Sequence, residues 1–158
     1  WSIAGRAIDM TPEQKLEQVI RSAIPLSDAM QFSIDKLGLD EIQVSAPLEP
    51  NVNIHGTGFA GSIYAVAVLS GWALCRHIME ALEMDGDLVV AKAEITYRAP
   101  VTSALECSCR VATEAREDFV KGFTQLGKGK LVLEVEVGDR PQAILRATYI
   151  AMSPKASA

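Results

Sequence analysis

The run GSIYAVAVLSGWAL at 61–74 restricts the possible folds more than any other part of the sequence. Within a helix read from Ser62 to about Met84, the first three turns carry Ile63, Tyr64, Ala65, Val66, Ala67, Val68, Leu69, Gly71 and Trp72, so every side is apolar or small. Such a helix has to be buried all round, because no polar stripe is left to face water. One sheet face cannot cover it. The longest apolar run, residues 63–75, is shorter than the ~20 residues a bilayer crossing requires and continues into Arg76 and His77, so it reads as a core helix and not as a membrane span.

The flanking segments supply what surrounds this helix. Thr11, Pro12 and Gln14 make a capped helix start, followed by Leu16, Val19, Ile20, Ala23 and Ile24 at helical spacing until Pro25. A second short helix is expected from Ser27 to Leu37, stopped by Gly38. EIQVSA at 41–46 alternates like a half-buried strand, and the loop PLEPNVNIH follows it. Beyond the long helix, Val89, Ala91, Ala93, Ile95 and Tyr97 alternate with Lys92, Glu94, Thr96 and Arg98 in a strand with one wet face. Leu105, Cys107, Cys109 and Val111 form the inner face of another strand. Phe119, Phe123 and Leu126 mark a helix ending at Gly127, and strands at 131–138 and 142–152 meet at the turn GDRP.

Composition narrows the class. A chain of 158 residues, 49% of them hydrophobic, fits one domain, expected over 11–153 with a short tail at 154–158. The opening WSIAGRAID has no basic n-region, long apolar run or initial methionine, so residues 1–10 are set aside as a disordered or processed leader. Three cysteines, Cys75, Cys107 and Cys109, have no framework spacing, which suits a reducing, cytoplasmic compartment. A net charge of −5 without a cluster of Lys and Arg argues against nucleic acid. Two histidines twenty-two positions apart and two cysteines on one strand face offer no metal constellation, and no cofactor is expected.

Gly56, Gly58 and Gly61 have the spacing G-x-G-x-x-G, which means dinucleotide binding only between a strand and a helix of a βαβ unit. Here a long loop separates them from the preceding strand, and the later strands follow one another through hairpin-length connections, so they are antiparallel. An α+β architecture is expected, an antiparallel curved sheet wrapped around one long helix with two short N-terminal helices. That is the pattern of the hot-dog fold.

The runs PNVNIHGTGFAGSIYAVAVLSGWAL and GDLVVAKAEITYRAPV resemble the thioesterase-like family that occurs alone or as the C-terminal domain of YiiD-type bacterial proteins, behind an acetyltransferase domain. The likeness covers roughly Asp40 to Ser153, with N-x-H-G-T-x-F-x-G-S at its centre. It implies a hot-dog homodimer acting on acyl thioesters of coenzyme A or acyl carrier protein. The family is also associated with decarboxylation of malonyl-acyl carrier protein to the acetyl form.

The residues themselves address the chemistry. A thioester site needs donors where negative charge grows on the carbonyl oxygen. Backbone N–H groups near Ala60, Gly61 and Ser62 are unpaired at a helix start, and glycine at 58 and 61 allows close approach. Asn53 can add an amide, or it can simply satisfy the loop backbone. His55 has a pKa suited to proton transfer, and a structural role is equally open to it. Ser62 is a candidate for orienting a carboxylate and also a natural helix cap. The catalytic candidates are therefore Asn53, His55, Gly61 and Ser62. Gly58, Phe59, Tyr64, Ser70 and Arg98 are the candidate substrate contacts, although Tyr64 also fits the core, Ser70 a helix–sheet contact, and Arg98 a pair with Glu94.

One absence carries weight. Many hot-dog thioesterases place a carboxylate on the central helix about two turns after a glycine pair, whereas no Asp or Glu occurs here between Glu49 and Glu80, and Leu69, Ser70 and Gly71 hold the corresponding positions. Hydrolysis would have to use His55 or a carboxylate from elsewhere, such as Glu94 or Asp118. Decarboxylation needs no such base. Three classes stay open: malonyl-thioester decarboxylase, thioesterase, and a non-catalytic acyl-binding module. Lys121, Lys128 and Lys130 could meet coenzyme A phosphates or an acidic carrier, or complement a helix end.

Overall fold

A computed structural model describes residues 9–154. The leader and tail expected at 1–10 and 154–158 lie, apart from Asp9, Met10 and Pro154, outside the described residues. Helix α1 spans Pro12–Ala23 and opens with the expected capping box, the Gln14 N–H donating to Thr11 Oγ1 at 3.2 Å and the Thr11 N–H to Gln14 Oε1 at 3.0 Å. Pro25 ends it and opens α2, Pro25–Ala29. The strands are β1 Ser33–Leu37, β2 Glu41–Ala46, β3 Asp87–Tyr97, β4 Leu105–Arg110, β5 Lys128–Val137 and β6 Ala143–Met152. The long helix α3 runs Ala60–Ala81 and α4 runs Thr113–Leu126.

The six strands form one antiparallel sheet in the order β1-β2-β4-β5-β6-β3. Its inner face is a continuous apolar floor. Val44, Cys107, Val137 and Ala143 lie in one row across four strands, with Ile42, Cys109, Val135 and Leu145 in the next. All eight are buried. Against them α3 lays Ile63, Val66, Ala67, Ser70, Ala73, Leu74 and Ile78, while Tyr64, Ala65, Val68, Leu69 and Trp72 remain partly open. The expected antiparallel sheet around a core helix is therefore present. Although α3 has the length and composition of a membrane span, its burial is that of a core helix.

Three expectations need correction. The segment expected as a helix over 27–37 is helical only to Ala29; Gln31 has φ 58, and β1 follows. Burial of Ile34 in the ladder with β2, and of Phe32 just ahead of it, outweighs helical propensity, and Gly38 lies in the hairpin turn instead of ending a helix. In β3 the register shifts between Val90 and Lys92, so Leu88, Ala93 and Ile95 turn inward while Val89 and Ala91 do not. One extra residue reverses which face a side chain takes. Finally, the strand expected at 131–138 starts three residues earlier, since β5 begins at Lys128.

Candidate active site at the start of the central helix

The loop before α3 is tied at both ends. After a single 3-10 turn at Glu49–Asn51, buried Asn51 donates through Nδ2 to the carbonyls of Met30 at 2.9 Å and Pro47 at 2.8 Å, and its own carbonyl accepts from the Phe59 N–H at 2.7 Å. Gly58 N–H donates to Val101 O at 2.8 Å, attaching the loop to the chain beyond β3. A Cβ on Gly58 would lie 3.0 Å from Val101 Cβ and 3.2 Å from Ile63 Cδ1, so the close approach favours glycine.

Asn53 closes the tip. Its Oδ1 accepts from the N–H groups of His55 at 2.8 Å and Thr57 at 3.1 Å, while Nδ2 donates to Thr57 Oγ1 at 2.9 Å and, more weakly, to Gly58 O at 3.3 Å. Gly56 takes φ 79, a conformation that side chains resist. The result is a rigid hairpin on whose tip Ile54 is 95% exposed and His55 lies open to solvent.

Helix α3 then starts without a side-chain cap. Phe59 is the N-cap residue and Ser62 the third helical residue, so the cap expected of Ser62 is not made; the helix begins two residues earlier than expected. The N–H groups of Ala60, Gly61 and Ser62 precede the first intrahelical bond, which joins Ile63 N–H to Phe59 O at 3.0 Å. They carry the positive end of a 22-residue helix. The Phe59 ring rests where a Cβ of Gly61 would be, 2.6 Å from that point, and forms an apolar wall beside these donors.

Residues distant in sequence also contribute. Tyr97, the last residue of β3, donates its phenol hydrogen to Ala60 O at 2.7 Å. Burial and the nearby Tyr64 phenol hold the Tyr97 hydroxyl above its usual pKa, so it stays protonated and a donor. Arg98 follows it, exposed, with its backbone N–H on Gln142 O at 2.6 Å; Glu94 pairs with Lys92 at 3.2 Å, and among the described residues Arg98 has no ion pair. Asn53, His55, Gly58, Phe59, Gly61, Ser62, Tyr97 and Arg98 thus belong to one end of the molecule.

Other candidates lie apart from it. Ser70 is fully buried against the sheet, its hydroxyl donating to Val66 O at 2.7 Å, in the helix–sheet contact. Tyr64, by contrast, stands beside the site, half-buried against the core with its phenol near that of Tyr97. Glu94 is exposed on the outer sheet face and Asp118 is exposed on α4; since α4 packs on the start of β5, it belongs to the opposite end of the sheet from Tyr97. Lys121, Lys128 and Lys130 are at that same far end. No group of three metal-ligating side chains occurs among the described residues.

At one of the three positions where a helix carboxylate would stand, packing excludes any side chain. A side chain at Gly71 would overlap the phenol of Tyr149, which rises from β6 and donates to Val68 O at 2.7 Å.

The model of the family described as "Putative thioesterase (yiiD_Cterm)" matches residues 13–152. The chain belongs to this family. A solved "putative thioesterase" from Shewanella oneidensis is 39% identical, with 89% of this chain and 96% of that one covered and a TM-score of 0.80. A protein of unknown function from Chlorobaculum tepidum is 26% identical over 89% of this chain and 94% of its own, with a TM-score of 0.85. A thioesterase from Haemophilus influenzae shares the fold at 13% identity, 91% and 92% coverage and a TM-score of 0.66. Membership in this thioesterase family makes an acyl thioester the natural chemistry to test against the α3 start.

Proposed function

We propose that the protein decarboxylates a malonyl thioester, carried by acyl carrier protein or coenzyme A, to the acetyl thioester. The observation that carries this reading is the start of α3, an uncapped set of N–H donors beside an apolar wall, with no carboxylate on the helix until Glu80, twenty residues along. Loss of carbon dioxide breaks the bond between the carboxylate carbon and the α-carbon. The electron pair moves onto the thioester oxygen as an enolate, and a proton then returns to the α-carbon. The step needs donors on the enolate oxygen and a poorly solvated place for the departing carboxylate.

In this reading the N–H groups of Gly61 and Ser62 hold the thioester oxygen. Asn53 joins them by exchanging its long amide bond to Gly58 O for the ligand. His55 or the Ser62 hydroxyl orients the carboxylate or returns the proton. Phe59 and Gly58 shape the approach, and Arg98 meets phosphate or an acidic carrier. A second reading, hydrolysis with His55 as base, is favoured by the exposure of His55, whose backbone N–H is held by Asn53 Oδ1.

A homodimer accompanies either reading. Edge strand β3 is eleven residues long with Val89 and Val90 exposed, and an apolar groove of about 240 Å³ lies between Leu26, Met30, Val68, Leu69, Trp72 and Val90. A second copy would pair with that edge and cover the open side of α3.

Incubating the protein with malonyl-carrier protein, malonyl-coenzyme A and longer acyl thioesters, with products read by mass spectrometry, tests the function. Loss of carbon dioxide with the thioester intact is the expected result. A free thiol would mean hydrolysis, and binding without turnover would mean an acyl-binding module.

A further inference from the structure

We propose that Tyr97 is a positioning residue for the site at the start of α3. Its phenol donates to the carbonyl of Ala60 at 2.7 Å, across 37 positions of sequence. The peptide group joining Ala60 to Gly61 is planar and trans, so its C=O and its N–H point in opposite directions. Anchoring the oxygen therefore sets the direction of the Gly61 N–H, one of the donors left open at the helix start.

The anchor is firm at its other end. Tyr97 pairs with Ala143 at the end of the β3–β6 ladder, and the next residue, Arg98, donates its N–H to Gln142 O at 2.6 Å. A first helical turn has only its later bonds to keep it from fraying. This one gains a tether to the sheet. Tyr97 is 47% exposed, so replacing the hydroxyl while keeping the ring leaves the core intact. The hydrogen bond thus contributes more to the order of the donor turn than to global stability.

The experiment compares the wild-type chain with Tyr97→Phe in two measurements. The first, turnover of malonyl and acyl thioesters, rests on the function proposed above. The second, the 15N relaxation order parameters of the Gly61 and Ser62 amides, does not. With one hydrogen bond lost, kcat should fall about three- to tenfold with KM within about twofold. The order of the Gly61 amide should fall as well, with the rest of β3 unchanged. An unchanged Gly61 order parameter would overturn the proposal whatever happens to kcat, because a fall in kcat alone would mean that the phenol touches the substrate itself. If wild type turns over no thioester, the functional reading fails and the amide measurement still decides the role of Tyr97.

Discussion

Gly71 is glycine because the Tyr149 phenol fills the space its side chain would take. Gly71→Ala should destabilise the fold by about 1–3 kcal/mol in urea denaturation, and adding Tyr149→Phe should recover part of that loss by removing the overlapping oxygen. The same contact keeps a carboxylate off position 71. Asn53 invites a different comparison. Asn53→Asp keeps an acceptor for the His55 and Thr57 N–H groups but has no amide to donate. Both Asn53→Ala and Asn53→Asp should lower turnover about a hundredfold or more. Near wild-type rates for the Asp variant would make Asn53 a loop clasp only. That Asn53 could serve its own loop was legible in the sequence, since Asn commonly bonds backbone two residues on. Tyr97 was not, because its partner lies 37 positions away and only the fold brings them together.

At the scale of elements, helices with explicit punctuation were readable. α1 has its capping box and α4 ends at Gly127 with φ 72. Strands β2, β4 and β6 followed their alternation, with buried Leu105, Cys107 and Cys109 as expected. Short segments failed where tertiary pairing decides: the sequence around Phe32 and Ile34 fits a helix turn or a strand, and β2 selects the strand. The bulge in β3 left no composition signal. The start of α3 was misplaced because Ser62 offers a cap that the chain does not use. One element contact also has a pH dependence. Burial between α1 and α3 lowers the pKa of His77 below its ordinary 6.5, opposed by Glu80 and Glu13. The unfolded chain therefore binds this proton first, so stability should decline as pH falls through 6.5 and level off once the folded imidazole is also protonated. His77→Gln should flatten that part of a denaturation-versus-pH curve, and an unchanged slope would remove His77 as its source.

For the whole molecule, the apolar all-round character of the α3 sequence has a direct consequence. The sheet covers one side, and Ala65, Val68, Leu69 and Trp72 remain on the other beside the open β3 edge. Size-exclusion with light scattering should find a dimer. Leu69→Lys, which puts a charge into the groove, should shift it toward monomer; a wild-type monomer would mean that the groove has another use. The sequence could indicate that this surface needed a cover because burial demand is additive along a helix, but it could not locate the surface before the sheet order was known. The proposed chemistry turns on where the thioester oxygen sits. In a crystal structure with a non-reactive malonyl thioester analogue, the carbonyl oxygen should lie within about 3.2 Å of the Gly61 or Ser62 N–H. An analogue bound elsewhere, or with its carbonyl turned to solvent and these N–H groups unengaged, would contradict it.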